Sequence, residues 1–370
     1  MNRSSVVRWF FAGVVVAAAC TVHAGLDDDV FGYEAWQRAL SEIEVDQAQV
    51  VYPFHITEEM RAWAKEKIRP YRTASPEVRL QVLQLAFFDP GEFSFEYEQE
   101  RTLTATEAFA SRRGNCMSFT SLFVALSRSL DLPTFLVAVT RRPEVVKDGG
   151  LVVVNRHVVA GFRHASKVYI YDFYFNSNDQ PHHRQVIDDV AASAMYHTNI
   201  GGMNIRMNDT DAAIHNLEIA TTISPSWAPA WVNLGVARAR AGDMDAALDA
   251  YQMALVAEPN NSSALVNMAK VFTDQGQIEE AHTAMRAAAE GSRNPFTLIA
   301  MADVEMLHGN LDEARQYLRR ARWWYSGEPE VYEAMSRLAR LGEQHEKADK
   351  YLAKASALRQ RGQVEADSLN

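Results

Sequence analysis

Cysteine is almost absent from this chain: its 370 residues hold two, Cys20 and Cys116. If Cys20 leaves with a leader segment, Cys116 has no internal disulfide partner. A lone thiol in an oxidising compartment is exposed to damage unless it is buried or used. Basic charge is also short. Lys and Arg number 37 against 47 Asp and Glu, for a formal net charge of −10. With no basic stripe, a nucleic-acid partner is not expected. Long apolar runs are missing too. WFFAGVVVAAA at 9–19 falls well short of the ~20 residues a membrane-spanning helix needs, and no later segment comes closer. What is present, at 48% apolar residues, is enough for two domains with cores of their own.

The short apolar run belongs to a leader. Arg3 and Arg8 precede it, and CTVHAG follows with Val22 and Ala24 at the small-residue positions. That is the pattern of a secretory signal peptide cut after Ala24, so residues 1–24 are expected to be removed. The mature protein is then exported, to the periplasm in a bacterial cell, with no membrane span. A rival reading makes Cys20 of AAAC a lipid-anchor site, which Ala17 fits poorly. An intact mass separates the two.

Residues 194–370 repeat at a period of 34. The clearest unit is AWVNLGVARARAGDMDAALDAYQMALVAEPN at 230–260. Trp231, Leu234 and Gly235 open one helix, Gly242 turns, Ala247, Tyr251 and Ala254 face a second, and Pro259 ends it. Gly201, Ala213, Ala220 and Pro225 keep the register before it; Ala269, Gly276, Ala281 and Ala288 keep it after. Ala302, Gly309, Ala314 and Ala321 continue the series, as do Ala348 and Ala355. These units, about five in all, resemble tetratricopeptide repeats. The resemblance implies an all-α superhelix in which each helix pair buries its apolar face only against the next.

It also implies that the first helix of each unit lines a concave face. Asn199, Asn233 and Asn267 share one position on that helix. Either they form a ladder of amides for the backbone of an extended peptide, or they serve local packing. Arg240 and Lys270 add charge to that groove or are ordinary solvated side chains. Trp323, Trp324 and Tyr325 follow the second helix of the fourth unit, where large aromatics are expected to pack between repeats.

Residues 25–193 do not repeat. Thr57 caps a helix over EEMRAWAKEKI, and Ser75-Pro76 opens another that Asp89-Pro90-Gly91 stops. In SRRGNCMSFTSLFVALSR, Phe119, Leu122, Phe123, Leu126 and Leu130 recur at helical spacing, so Cys116 falls in the first turn of a half-buried helix. The helix dipole and nearby Arg112 and Arg113 favour a thiolate there. Two strands follow: LVVVNRHVVAGF with His157 at its centre, and KVYIYDFYF with Asp172, linked by RHASK as a hairpin. A cysteine is often inert core filler and a strand histidine often a satisfied one. A thiol, an imidazole and a carboxylate in this order, however, supply a nucleophile, its base and the group that orients the base. His182 and His183 lack the spacing and companions of a metal site, so no metal and no cofactor are expected. RPEVVKDGG at 142–150 is either a flap by the site or a polar hairpin end.

GNCMSFTSLFVALSRSLDLPTFLVAV, NRHVV and YIYDFYF together resemble the core of the transglutaminase-like superfamily, a papain-type fold, and FSFEY adds to the likeness. The resemblance implies an α+β cysteine-enzyme domain with Cys116, His157 and Asp172 as catalytic residues. The papain-like glutamine six residues before the cysteine is replaced by Ala110, so the Cys116 amide is the one oxyanion donor in view. Two functions follow. The first is an exported thiol enzyme acting on peptides or other amides by hydrolysis or amine transfer, fed by a protein or peptide partner on the repeats; a cell-wall amidase is a variant of it. The second is an inactive scaffold whose repeats bind partners.

Overall fold

The computed structural model describes residues 31–148, 151–164, 167–172, 183–290, 292 and 294–367. The leader, Cys20 and His182 lie outside them. The N-terminal part opens with three helices, α1 (Tyr33–Ser41), α2 (Glu58–Ile68) and α3 (Pro76–Phe87). Thr57 caps α2 as expected, its Oγ1 accepting from the Met60 N–H at 3.2 Å. Ser75 does not cap α3 with its side chain; Pro76 at the first helical position sets that start. Next come β1 (Glu96–Tyr97), α4 (Ala105–Ser111), β2 (Arg113–Gly114) and α5 (Cys116–Arg128). The parallel β1–β2 pair is short, but it sets Tyr97 beside Gly114, at the threshold of α5.

A four-stranded antiparallel sheet follows: β3 (Thr134–Asp148), β4 (Leu151–His164), β5 (Lys167–Tyr171) and β6 (His183–Ile187), in the order β5-β4-β3-β6. Its two faces separate by alternation. Leu136, Ala138, Val158, Ala160 and Phe162 join the main core with α5. Phe135, Val137, Val139 and Val159 form a smaller cluster on the other side with Phe31 and Ile170. The α5 helix is buried along its whole length from Met117 to Ser127 and is tied to β4 by Thr120 Oγ1, which donates to the Val158 carbonyl at 3.3 Å. The expected β4–β5 hairpin is present, with His164 paired to Lys167.

Helix pairs make up the rest: α6 (Asp189–Arg206) with α7 (Thr210–Ile223), α8 (Ala228–Arg240) with α9 (Met244–Ala257), and α10 (Ser262–Asp274) with α11 (Ile278–Glu290). After them come α12 (Pro295–Leu307) with α13 (Leu311–Trp324), and α14 (Pro329–Leu341) with α15 (His345–Asp367). The period has a packing cause. A Cβ on Gly235 would sit 2.3 Å from Tyr251, which is fully buried. One unit earlier a Cβ on Gly201 would meet Leu217 at 2.5 Å. In both pairs the missing side chain lets a large residue of the second helix press onto the first.

The two parts share one core. Ala192, Ala194, Met195 and Tyr196 of α6, with Ile219 and Ile223 of α7, pack in the same cluster as α5 and the sheet. Asp189, the first residue of α6, is 1% exposed and accepts a bidentate pair from Arg128 Nη1 and Nη2 at 2.7 and 3.0 Å. It also accepts from the Gly32 N–H and the Tyr52 hydroxyl. The β4 strand in turn contacts α6, α8 and α10, the first helices of successive pairs.

Candidate active site

The loop before α5 is built to present Cys116. Gly114 has φ 148°, and a Cβ there would lie 2.4 Å from Ser118 Cβ, so only glycine fits. Asn115 caps the helix, its Oδ1 accepting from the Ser118 N–H at 3.1 Å. Its Nδ2 donates to Thr102 Oγ1 at 2.7 Å, and its backbone N–H donates to the Arg101 carbonyl at 2.9 Å. Ser118 Oγ locks the same loop by donating to the Arg101 carbonyl and accepting from the Leu103 N–H. Cys116 is thus held at the first turn, half-buried, as a free thiol.

His157 sits mid-way along β4, opposite Val139 of β3. Its Nε2 lies 3.1 and 3.0 Å from the two carboxylate oxygens of Asp172, just past the end of β5. Asp172 is 7% exposed. Gln84 of α3, itself buried, donates from Nε2 to the Asp172 backbone carbonyl at 2.7 Å and fixes the turn that aims the carboxylate. With Nε2 committed to Asp172, Nδ1 is the ring nitrogen left for the sulfur. Burial alone would depress the imidazole pKa. The hydrogen bond that Nε2 donates to Asp172 and the interaction with Cys116 outweigh it, raising His157 to about 10. Cys116 and His157 line one open pocket.

Residues 61–174 match the model of the transglutaminase-like superfamily, and residues 205–262 and 266–328 that of the tetratricopeptide repeat. The chain carries a transglutaminase-like domain followed by tetratricopeptide repeats. No curated protein matches the chain. Among solved structures, PilF of Pseudomonas aeruginosa is 20% identical over 44% of this chain and 75% of its own, with a TM-score of 0.39. A MamA structure is 16% identical over 45% and 92%, at 0.36. YrrB, a repeat protein described as having an unusual peptide-binding site, is 19% identical over 47% and 91%, at 0.35.

The transglutaminase-like domain brings Cys116, His157 and Asp172 together. The three asparagines of the repeats have separate settings. Asn199 on α6 lines the Cys116 pocket. Asn233 and Asn267 are fully buried, neither is without a partner, and they lie on α8 and α10, the helices that contact β4. Arg240 and Lys270 are engaged inside the chain. Arg240 Nη1 donates to the Ile205 carbonyl at 2.6 Å, and Lys270 pairs with Asp274 on its own helix.

Two expectations need correction. Trp323 and Trp324 are not buried between repeats: they are 81% and 51% exposed, while Ala314, Leu318 and Ala321 form the buried side of α13. Nor do Arg112 and Arg113 line the thiol pocket. Arg112, in a left-handed conformation after α4, donates to the Glu92 carbonyl at 3.1 Å and stacks on Phe93, and Arg113 is exposed. The arginine lining the pocket is Arg206, from the first repeat helix. His183 lies on β6, its backbone opposite Thr140. No group of three His, Cys, Asp or Glu suited to a metal ion occurs among the described residues, and no described helix is long and apolar enough to cross a membrane.

Proposed function

We propose that the protein is an exported thiol enzyme that cleaves or transfers amide-linked acyl groups. The export half rests on the leader pattern of residues 1–24. The chemical half rests on one observation: Cys116 and His157 line one pocket, with His157 Nε2 3.0 Å from the Asp172 carboxylate. The sulfur attacks the carbonyl carbon and the carbonyl π electrons move to oxygen. The Cys116 N–H, first in α5 and without an intrahelical partner, donates to that oxygen. His157 gives its proton to the departing amine as the C–N bond breaks, leaving a thioester. It then takes a proton from water or from an acceptor amine, which attacks the thioester and releases the sulfur. Asp172 keeps the ring oriented through both steps. Hydrolysis is the favoured outcome because the pocket is open to water.

Division of labour follows the chain. Residues 25–193 carry the chemistry and 194–370 take a protein or peptide partner. Asn199 lines the thiol pocket, whereas Asn233 and Asn267 are fully buried and are not open to an extended partner. The test uses p-nitrophenyl acetate as a generic acyl donor. A stoichiometric burst of p-nitrophenolate and an acetyl adduct on Cys116 are expected, both absent in Cys116→Ala. A wild-type trace indistinguishable from that variant refutes the proposal.

A further inference from the structure

The first repeat helix supplies part of the thiol pocket. Asn199, Met203 and Arg206 line it together with Cys116 and His157. Their spacing of four and three residues places them on one face of α6. The buried Arg128–Asp189 pair and the shared core fix that helix against α5, so this wall is rigid.

Arg206 is the feature without an assigned task. Its side chain is 22% exposed. Its carboxylate partner among the described residues, Glu100, stands 3.9 Å from Nε, beyond hydrogen-bond distance, on a side chain that is 78% exposed. A guanidinium carries five donors in a planar fork that matches a carboxylate two at a time. An arginine at a pocket wall with one loose, solvent-facing counter-charge keeps most of those donors for something else. Glu100 and His157 line the same pocket, with the neutral polar groups Thr102, Asn115 and Asn199, so Arg206 and His157 face a ligand as basic groups and Glu100 as the acidic one.

We propose that the pocket takes an acyl donor bearing a carboxylate close to the reacting carbonyl, and that Arg206 pairs with that carboxylate. Glu100 is the placeholder that the substrate displaces. The substrate class is thus an acidic peptide or amide. This rests on the reading of Cys116 as a nucleophile, and the experiment separates the two ideas.

Cys116 is alkylated with iodoacetate and with iodoacetamide, probes of nearly one size that differ by a carboxylate. In each case the sulfur displaces iodide and forms the same kind of thioether. The ratio of the two rates is compared between wild type, Arg206→Met and Arg206→Lys, with His157 intact throughout. We expect the iodoacetate-to-iodoacetamide ratio to fall about fivefold in Arg206→Met, the size of a partly screened ion pair, and to persist largely in Arg206→Lys. The wild-type preference should collapse in 1 M salt, where the Debye length is about 3 Å. An equal ratio in all three proteins overturns the proposal. A slow, ordinary rate in wild type with the ratio still dependent on Arg206 refutes the nucleophile reading alone. Two blockers then place the carboxylate: protection by N-acetylglycine marks a chain end, and protection by the α-amide of N-acetylaspartate marks an acidic side chain.

Discussion

Replacing Asp189 by asparagine asks whether the first repeat helix is built into the thiol domain or merely follows it. Asp189 is 1% exposed, and its two oxygens accept from Arg128 Nη1, Arg128 Nη2, the Gly32 N–H and the Tyr52 hydroxyl. Asparagine keeps the shape, removes the charge and turns one acceptor into a donor facing donors. Arg128, 17% exposed, stays charged without a counter-ion. Breaking a buried pair from one side costs about 3–5 kcal/mol, and the remaining access of Arg128 to water puts this case near 3. Urea unfolding followed by tryptophan fluorescence reads it, because Trp36 donates to Ser193 Oγ on the same helix and reports its release. A loss under about 1 kcal/mol would mean that α6 is held by apolar contact alone, and the rigid pocket wall drawn from this pair would fall with it.

Three further outcomes follow. Gly235→Ala places a Cβ 2.3 Å from the buried ring of Tyr251 and should cost about 2 kcal/mol in urea unfolding. His157, raised to about 10 in the folded protein against about 6.5 unfolded, contributes stability that is complete below pH 6.5 and lost as pH rises through 10. Melting temperatures of wild type and His157→Gln should therefore differ most at acid and neutral pH and converge in alkali. His197 has the opposite sign. Burial lowers its pKa; it accepts from the Val51 N–H on Nε2, which leaves Nδ1 to donate to Asn216 Oδ1. Below about pH 6.5 the unfolded chain takes a proton that the folded one refuses, so wild type should lose stability on acidification faster than His197→Gln.

What the sequence shows and what it hides divide along a physical line. The repeats are legible because one packing solution recurs: Gly235 on Tyr251 repeats Gly201 on Leu217, and a period survives changes in individual residues. Cys116, His157 and Asp172 are legible because a helix start and two strand patterns frame them. Gln84, the Arg128–Asp189 pair and Arg206 are single residues whose partners lie far along the chain, and no local pattern marks them. Nearness in sequence misleads in the same way. Arg112 and Arg113 precede the cysteine yet do not line its pocket, while Arg206 arrives from the next structural unit. Trp323 and Trp324 read as inter-repeat packing by volume alone, but both are exposed.

The pairing of sulfur with imidazole is tested most directly by the rate of Cys116 alkylation with iodoacetamide at pH 6, in wild type and in His157→Ala. An ordinary thiol of pKa about 8.5 is only about 0.3% ionised there. An imidazole beside the sulfur that takes up its proton makes the reaction faster than that of an ordinary thiol. His157→Ala should slow the reaction at least about tenfold at pH 6, and the gap should close towards pH 10. Equal rates for the two proteins across that range would contradict the pairing.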